Sequence, residues 1–192
     1  MRLGILGSGS GSNMQAILDG VADGSIPATI ALVLSDNPQG YILERAKKAG
    51  IPTGVIDCRG FKSKCPEEAQ EETAAALKAA GVDLVCLAGF MRLVRAPLLE
   101  AFPDRIINIH PALLPAFPGL QAWKQALEAG VAETGCTVHY VDGGVDTGPS
   151  ILQGRVPVLV GDTPESLHER ILAEEHRIYP EAIRMVAKSL KL

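Results

Sequence analysis

Three side chains in this chain of 192 residues are of the types that could assist acyl transfer between two bound molecules. Asn108-Ile109-His110-Pro111 closes an apolar run, Arg105–Ile109, that reads as a strand. Residues two apart on a strand share a face, so Asn108 and His110 are expected to point the same way. Asp146 lies in a separate glycine-rich segment, Val141-Asp142-Gly143-Gly144-Val145-Asp146-Thr147-Gly148, which follows another strand. The Asn108 amide and a protonated His110 could both donate to the oxyanion that forms when an amine attacks a formamide carbon. A carboxylate at Asp146 would stabilise the charged imidazole and raise its pKa. The proton released by the amine could then travel through His110, Asp146 or a water. Each residue also has an ordinary role: a satisfied histidine at a strand end, a turn-capping asparagine, a loop acid. No Gly-x-Ser-x-Gly elbow and no cysteine nucleophile competes with the trio.

A second feature is the run Gly7-Ser8-Gly9-Ser10-Gly11-Ser12-Asn13, between a first strand and a first helix. Glycines allow positive φ and close backbone approach, and a helix start offers free N–H groups to an anion. A flexible turn without ligand is the plain alternative. The dinucleotide pattern G-x-G-x-x-G fails at its last position, which is Ser12 or Met14 depending on the start. Asp36 ends the second strand, where a ribose-binding acid would sit, so a nicotinamide-dependent oxidoreductase remains a different-class alternative. No Gly-Lys-Ser/Thr follows, which excludes a Walker loop. A monophosphate held by main-chain N–H groups, with Asn13 nearby, is the simpler reading.

Strands are expected at Arg2–Leu6, Ala28–Leu34, Gly54–Ile56, Val82–Ala88, Arg105–Ile109, Thr134–Val141 and Ile151–Val158. Helices are expected at Ser12–Asp19, Tyr41–Ala49, Glu67–Ala80, Pro97–Ala101 and Gln121–Ala129. A last helix runs from the Thr163-Pro164 start to about Lys188, with Pro180 as a point of interruption. Pro111–Gly119 holds three prolines and reads as a rigid loop, in which Leu114-Pro115 could be cis. This alternation implies an α/β fold: a doubly wound, mostly parallel sheet with helices on both faces. The last strands follow one another without a helix, so at least one could run antiparallel. Ligands are expected beyond the carboxyl ends of the strands.

Composition agrees. With 47% hydrophobic but only 4% aromatic residues, the core must be built from Val, Ile, Leu and Ala, which suits a covered parallel sheet. Eighteen basic and 22 acidic residues give a net charge of −4 and no basic stripe, which argues against nucleic-acid binding. No apolar run is long enough to span a membrane. Cys58, Cys65, Cys86 and Cys136 form no C-x-x-C pair and no zinc spacing, so no metal is expected and the thiols read as reduced and partly buried, as in a cytoplasmic protein.

Read together, Gly11-Ser12-Asn13, Leu87-Ala88-Gly89-Phe90-Met91-Arg92, Asn108-Ile109-His110-Pro111-Ala112-Leu113-Leu114-Pro115, Asp146-Thr147-Gly148-Pro149, Gly161-Asp162-Thr163 and Glu175-His176-Arg177-Ile178-Tyr179-Pro180 resemble the phosphoribosylglycinamide formyltransferase family over essentially the whole chain. The resemblance implies a Rossmann-like formyltransferase fold in a single domain, residues 1–192, with about 1–100 as a phosphate-binding half and the remainder as a folate-binding and catalytic half. It implies formyl transfer from 10-formyltetrahydrofolate, a reduced folate, to the amine of glycinamide ribonucleotide in purine biosynthesis, by a monomer or homodimer. Asn108, His110 and Asp146 would be catalytic. Gly11, Ser12 and Asn13 would hold the phosphate, with Glu175 near the substrate amine. Met91, Arg92, Leu93 and Val94, with the loop residues Val141, Asp142, Gly143, Gly144, Val145 and Thr147, would line the folate pocket. Lys64 stands where the family often has a folate-contacting Arg. A formyltetrahydrofolate hydrolase would carry an extra N-terminal domain and a methionyl-tRNA formyltransferase a further C-terminal one. The first strand starts at residue 2 and the chain ends after its last helix, which favours the free-standing enzyme.

Overall fold

The computed structural model describes residues 1–61 and 65–191. Its strands are β1 (Arg2–Leu6), β2 (Thr29–Ser35), β3 (Thr53–Val55), β4 (Leu84–Leu87), β5 (Ile106–His110), β6 (Glu133–Tyr140) and β7 (Ser150–Pro157). Its helices are α1 (Ser12–Ala22), α2 (Tyr41–Lys48), α3 (Glu67–Ala79), α4 (Ala96–Ala101), α5 (Ala122–Glu128) and α6 (Pro164–Ser189). The strands form one sheet in the order β3-β2-β1-β4-β5-β6-β7. Pairs from β3 to β5 are parallel, and β6 pairs antiparallel with both β5 and β7. Of these strands β6 alone runs against the rest, and the connection of residues 141–149 from β6 to β7 is too short for a parallel crossover.

The sheet is apolar on both faces, as a doubly wound sheet requires. On one side Leu3, Ile5, Val33, Ile107 and Val138 pack with Met14 and Ile17 of α1, Ile42 of α2 and Ile171, Ile178 and Ile183 of α6. On the other, Leu6, Leu34, Val85, Leu87 and Ile106 pack with Ala69 and Leu77 of α3 and Leu98 of α4. The Tyr179 hydroxyl donates to the Leu87 carbonyl at 2.8 Å and so fastens α6 to the centre of the sheet.

Two helices depart from the sequence reading by more than a terminal residue. Helix α1 runs three residues past Asp19, to Ala22, because Val21 still finds core to pack against. Helix α6 passes through Pro180 without interruption. Buried residues on both sides, Ile178, Tyr179, Ala182 and Ile183, hold it against the sheet across the missing backbone donor. Its start is a capping box: Ser166 N donates to Thr163 Oγ1 and Thr163 N to Ser166 Oγ. The Leu114-Pro115 bond is cis. The four cysteines are free and buried, Cys86 and Cys136 completely.

Candidate functional site

Between β1 and β4 the order of connection reverses, and the chain opens a crevice beyond their carboxyl ends. Two clefts occupy it. The first, about 340 Å³, is lined by Phe90, Met91, Arg92, Leu93 and Val94, by Asn108, Gly119, Leu120 and His139, and by Val141, Asp142, Gly144, Val145 and Asp146. The second, about 430 Å³, is lined by Ser8–Asn13 and by Met91, Ile109, Trp123, His168 and Glu175. Met91 belongs to both, so the clefts meet there.

In the second cleft, Gly11 caps α1 with φ of 72°, and a Cβ on it would lie 2.7 Å from Ile42 Cα. Only glycine fits that turn. The first N–H groups of α1 have no acceptor within the helix, an arrangement that suits an anion. Asn13 is buried; its Nδ2 donates to Glu175 Oε2 at 2.7 Å, and its Oδ1 has no partner among the described residues. Burial drives the Glu175 carboxyl up to about 7, with the Asn13 bond only partly offsetting it. Trp123 stacks on His168 at 3.9 Å between ring centroids and closes the far wall.

At the first cleft the trio converges, in an order different from the expected one. Asp146, held at φ 54° in the loop after β6, lies between two imidazoles. Its Oδ2 is 3.3 Å from His110 Nδ1 and its Oδ1 is 3.6 Å from His139 Nε2, while Gly119 N donates to Oδ2 at 2.9 Å. A non-glycine residue in the left-handed region costs roughly 1 kcal/mol or more, a strain typical of functional sites. Asn108 Nδ2 donates to His139 Nε2 at 3.3 Å, and His139 Nδ1 donates to the Tyr140 carbonyl at 2.9 Å. The β5–β6 register sets Asn108 directly opposite His139.

Asn108, His139 and Asp146 line the cleft, whereas His110, buried like His139, does not line it and lies against Asp146. The proline-rich loop covers it, and His110 Nε2 donates to the Phe117 carbonyl at 2.8 Å. That burial corrects the expected charge. Desolvation dominates and pulls the His110 pKa below its ordinary 6.5; the Asp146 carboxylate and the Phe117 carbonyl push it upward, as anticipated for Asp146, but do not compensate. Burial also pushes Asp146 upward, but His139, the Gly119 N–H and His110 together outweigh it and hold the carboxyl below 3.8. His110 is therefore neutral at rest near pH 7. With its one proton on Nε2, it presents a bare Nδ1 to a carboxylate.

Of the residues expected to line the folate pocket, Met91, Arg92, Leu93, Val94, Val141, Asp142, Gly144 and Val145 line this cleft. Gly143 and Thr147 instead brace the wall: Arg95 Nη1 donates to the Gly143 carbonyl, and Thr147 Oγ1 to Asp142 Oδ1. Lys64 lies outside the described residues. Asp36 does not face a ribose position. It accepts from Arg92 Nε and Ser8 Oγ, while Arg92 Nη1 donates to the Phe61 carbonyl and Met91 N to Ser8 Oγ. This removes the acid on which the dinucleotide alternative relied. It also shows Ser8 and Asp36 locking the glycine loop to the 91–94 segment. The sequence reading missed His139 and Asp36's locking role. The alternation of Thr137 and His139 along β6 was the available signal for the first; nothing in spacing linked Asp36 to Arg92.

Comparison with known proteins agrees with this geometry. The profile of the formyl transferase family matches residues 1–183. The chain is 48% identical over 193 residues to the trifunctional purine biosynthetic protein adenosine-3 of Drosophila melanogaster, but spans only 14% of that protein's length. It is 40% identical over 185 residues to the phosphoribosylglycinamide formyltransferase of Bacillus subtilis, covering 96% of this chain and 94% of that one. The crystal structure of glycinamide ribonucleotide transformylase 1 from Symbiobacterium toebii superposes with a TM-score of 0.94 at 59% identity, covering 98% of this chain and 88% of that one. A crevice built on this topology, and matches that run the length of the chain, place it in the formyl transferase family, among the phosphoribosylglycinamide formyltransferases.

Proposed function

We propose that the protein transfers the formyl group of 10-formyltetrahydrofolate to the amine of glycinamide ribonucleotide, in the cytoplasm, as a monomer or homodimer. The observation that carries this reading is the meeting of the two clefts at Met91: one offers main-chain N–H groups to a phosphate, the other a mostly apolar slot with Asn108 and Asp146 on its wall. The slot suits a flat heteroaromatic ring. Leu93, Val94 and Val141 supply apolar contact, and the backbone of residues 141–146 supplies hydrogen-bonding edges. Glu175 and the free Asn13 Oδ1 lie where donors on the acceptor substrate would come.

Binding sets the amine against the formyl carbon. The nitrogen lone pair forms the new C–N bond, and the carbonyl π pair moves onto oxygen. The second N–H of the Asn108 amide, not used toward His139, donates to that oxyanion; one such donor contributes about 3 kcal/mol. The amine's proton goes to the Asp146 carboxylate and on to His110 Nδ1, 3.3 Å away. The imidazolium so formed is stabilised by Asp146, which supplies here what it cannot supply at rest. Collapse expels the folate nitrogen, which takes up the proton. Incubating the protein with both substrates, followed by mass analysis for formylated product, tests the reading. His110→Ala is expected to fold normally and turn over at least about 100-fold more slowly; absence of product from the wild type, or wild-type turnover from His110→Ala, would overturn the corresponding claim.

A further inference from the structure

Behind the glycine loop, three consecutive carbonyl oxygens are tied to the β2–α2 side. The Ser8 carbonyl accepts from Asn37 Nδ2 at 3.2 Å, that of Gly9 from Ile42 N at 3.1 Å, and that of Ser10 from Arg45 Nε at 2.8 Å. In a trans peptide the C=O and the following N–H point in opposite directions. Fixing these oxygens on one side turns the N–H groups of Gly9, Ser10 and Gly11 to the other, toward the cleft lined by Ser8–Asn13. Among the described residues these three N–H groups have no protein acceptor. Arg45 is the charged member of the three ties. Its Nη1 also donates to Gln15 Oε1 at 3.3 Å, and its guanidinium carbon stands 5.0 Å from the centre of the Tyr41 ring. The side chain is thus fixed from three directions, although it reaches the loop from outside the cleft.

We propose that Arg45 is a positioning residue for the phosphate of the acceptor substrate: by holding the Ser10 carbonyl outward it keeps the Gly11 N–H turned into the cradle. The inference rests on reading this cleft as the phosphate site of the formyl acceptor. The Ser10–Gly11 peptide is the weak point of the cradle, because glycine leaves it free to rotate. Without Arg45 the peptide flips at little cost and presents its carbonyl dipole, rather than its N–H, to the anion. The positive charge behind the loop adds to the attraction of the α1 N-terminus.

The test compares wild type, Arg45→Gln and Arg45→Lys with the phosphorylated acceptor and with its 5′-hydroxyl analogue, after thermal melts establish that each variant folds. In Arg45→Gln the KM for the phosphorylated acceptor is expected to rise about tenfold, equivalent to about 1.4 kcal/mol. The kcat, the folate KM and kcat/KM for the hydroxyl analogue are expected to stay within about twofold, since none involves the phosphate. Arg45→Lys, which can still donate one charged bond to Ser10, is expected to return the KM to within about threefold of wild type. An unchanged KM, or a kcat and folate KM that worsen in step with it, overturns the proposal. Titration with inorganic phosphate, followed on the backbone amide resonances of Gly9, Ser10 and Gly11, separates the two levels. If wild type formylates neither acceptor, the proposed function fails; a phosphate Kd about tenfold weaker in Arg45→Gln would still uphold the positioning role. Equal Kd values, or no phosphate binding by wild type, would remove it.

Discussion

Glu175→Gln should stabilise the unliganded protein, and by an amount that depends on pH. Glu175 is 5% exposed, and its carboxyl accepts from Asn13 Nδ2 at 2.7 Å. Burial raises its pKa from 4.5 to about 7. A raised carboxyl pKa means that the folded state holds a proton the unfolded chain has already released. Its contribution is therefore intact below pH 4.5 and declines until about pH 7, where the folded state also ionises. At about 1.4 kcal/mol per unit, the deficit is below about 1 kcal/mol at pH 5 and roughly 3 kcal/mol at pH 8. Glutamine has the shape of the protonated acid, keeps an acceptor for Asn13, and never ionises. Urea titrations at pH 5 and pH 8, followed by the fluorescence of the single tryptophan, Trp123, and by circular dichroism, should show the variant gaining over wild type mainly at pH 8, with m unchanged. A gap equal at the two pH values, or larger at pH 5, would refute the reasoning, because only titration of Glu175 makes the difference grow with pH.

Asp36→Asn leaves the part-buried Arg92 guanidinium without its carboxylate and is expected to destabilise the protein by about 3 kcal/mol and to raise the folate KM more than the acceptor KM, measurable by urea titration and steady-state kinetics. Gly11→Ala puts a side chain at φ 72° and 2.7 Å from Ile42 Cα, and should cost about 2 kcal/mol or more in a urea titration, with loss of phosphate binding. Asp146→Asn suits the residue's left-handed backbone and should lower kcat about 100-fold while leaving acceptor binding largely intact. It also deletes the charge that raises the His110 pKa, so the acidic limb of the kcat/KM profile, already below 6.5, should move to lower pH; a limb that stays put or moves up would exclude His110 as the titrating base.

The first five strands were legible as apolar runs and the last two by alternation, and period two put Asn108 and His110 on one face. What spacing could not supply was the cover over that face. Phe117 and Gly119 fold back, one onto His110 and the other onto Asp146, and they place the imidazole behind the carboxylate. The sign of the His110 shift followed from that cover. Asp146 acts in the anticipated direction, but desolvation, which no local string reports, is larger. His139 escaped notice for a related reason: its place opposite Asn108 depends on antiparallel register across a long connection, and register is a property of the assembled sheet. Likewise Asp36 matched a ribose-binding acid by position alone, and only the fold shows that Arg92 and Ser8 have already claimed both of its oxygens. The helix start at Thr163, by contrast, was readable because a capping box is local in sequence.

Burial sets the proton inventory at both ends of the proposed reaction path, and in the same sense. An amine attacks only when unprotonated, and an ionised carboxylate beside it would favour the ammonium form. Glu175, raised to about 7, carries much less negative charge near neutral pH than an exposed glutamate would. At the other end, desolvation empties His110 Nδ1 of its proton, and Asp146, held below its ordinary pKa and accepting from the Gly119 N–H, faces it. A proton lost by the nucleophile therefore has somewhere to go before the leaving nitrogen needs it. Had Asp146 won against burial, His110 would enter the cycle already charged: better placed to greet an oxyanion, but unable to accept the proton whose departure commits the amine. The proline-rich loop that hides the imidazole thus selects its role, turning a residue that looks like a standing acid in the sequence into one that becomes an acid only after the nucleophile has attacked.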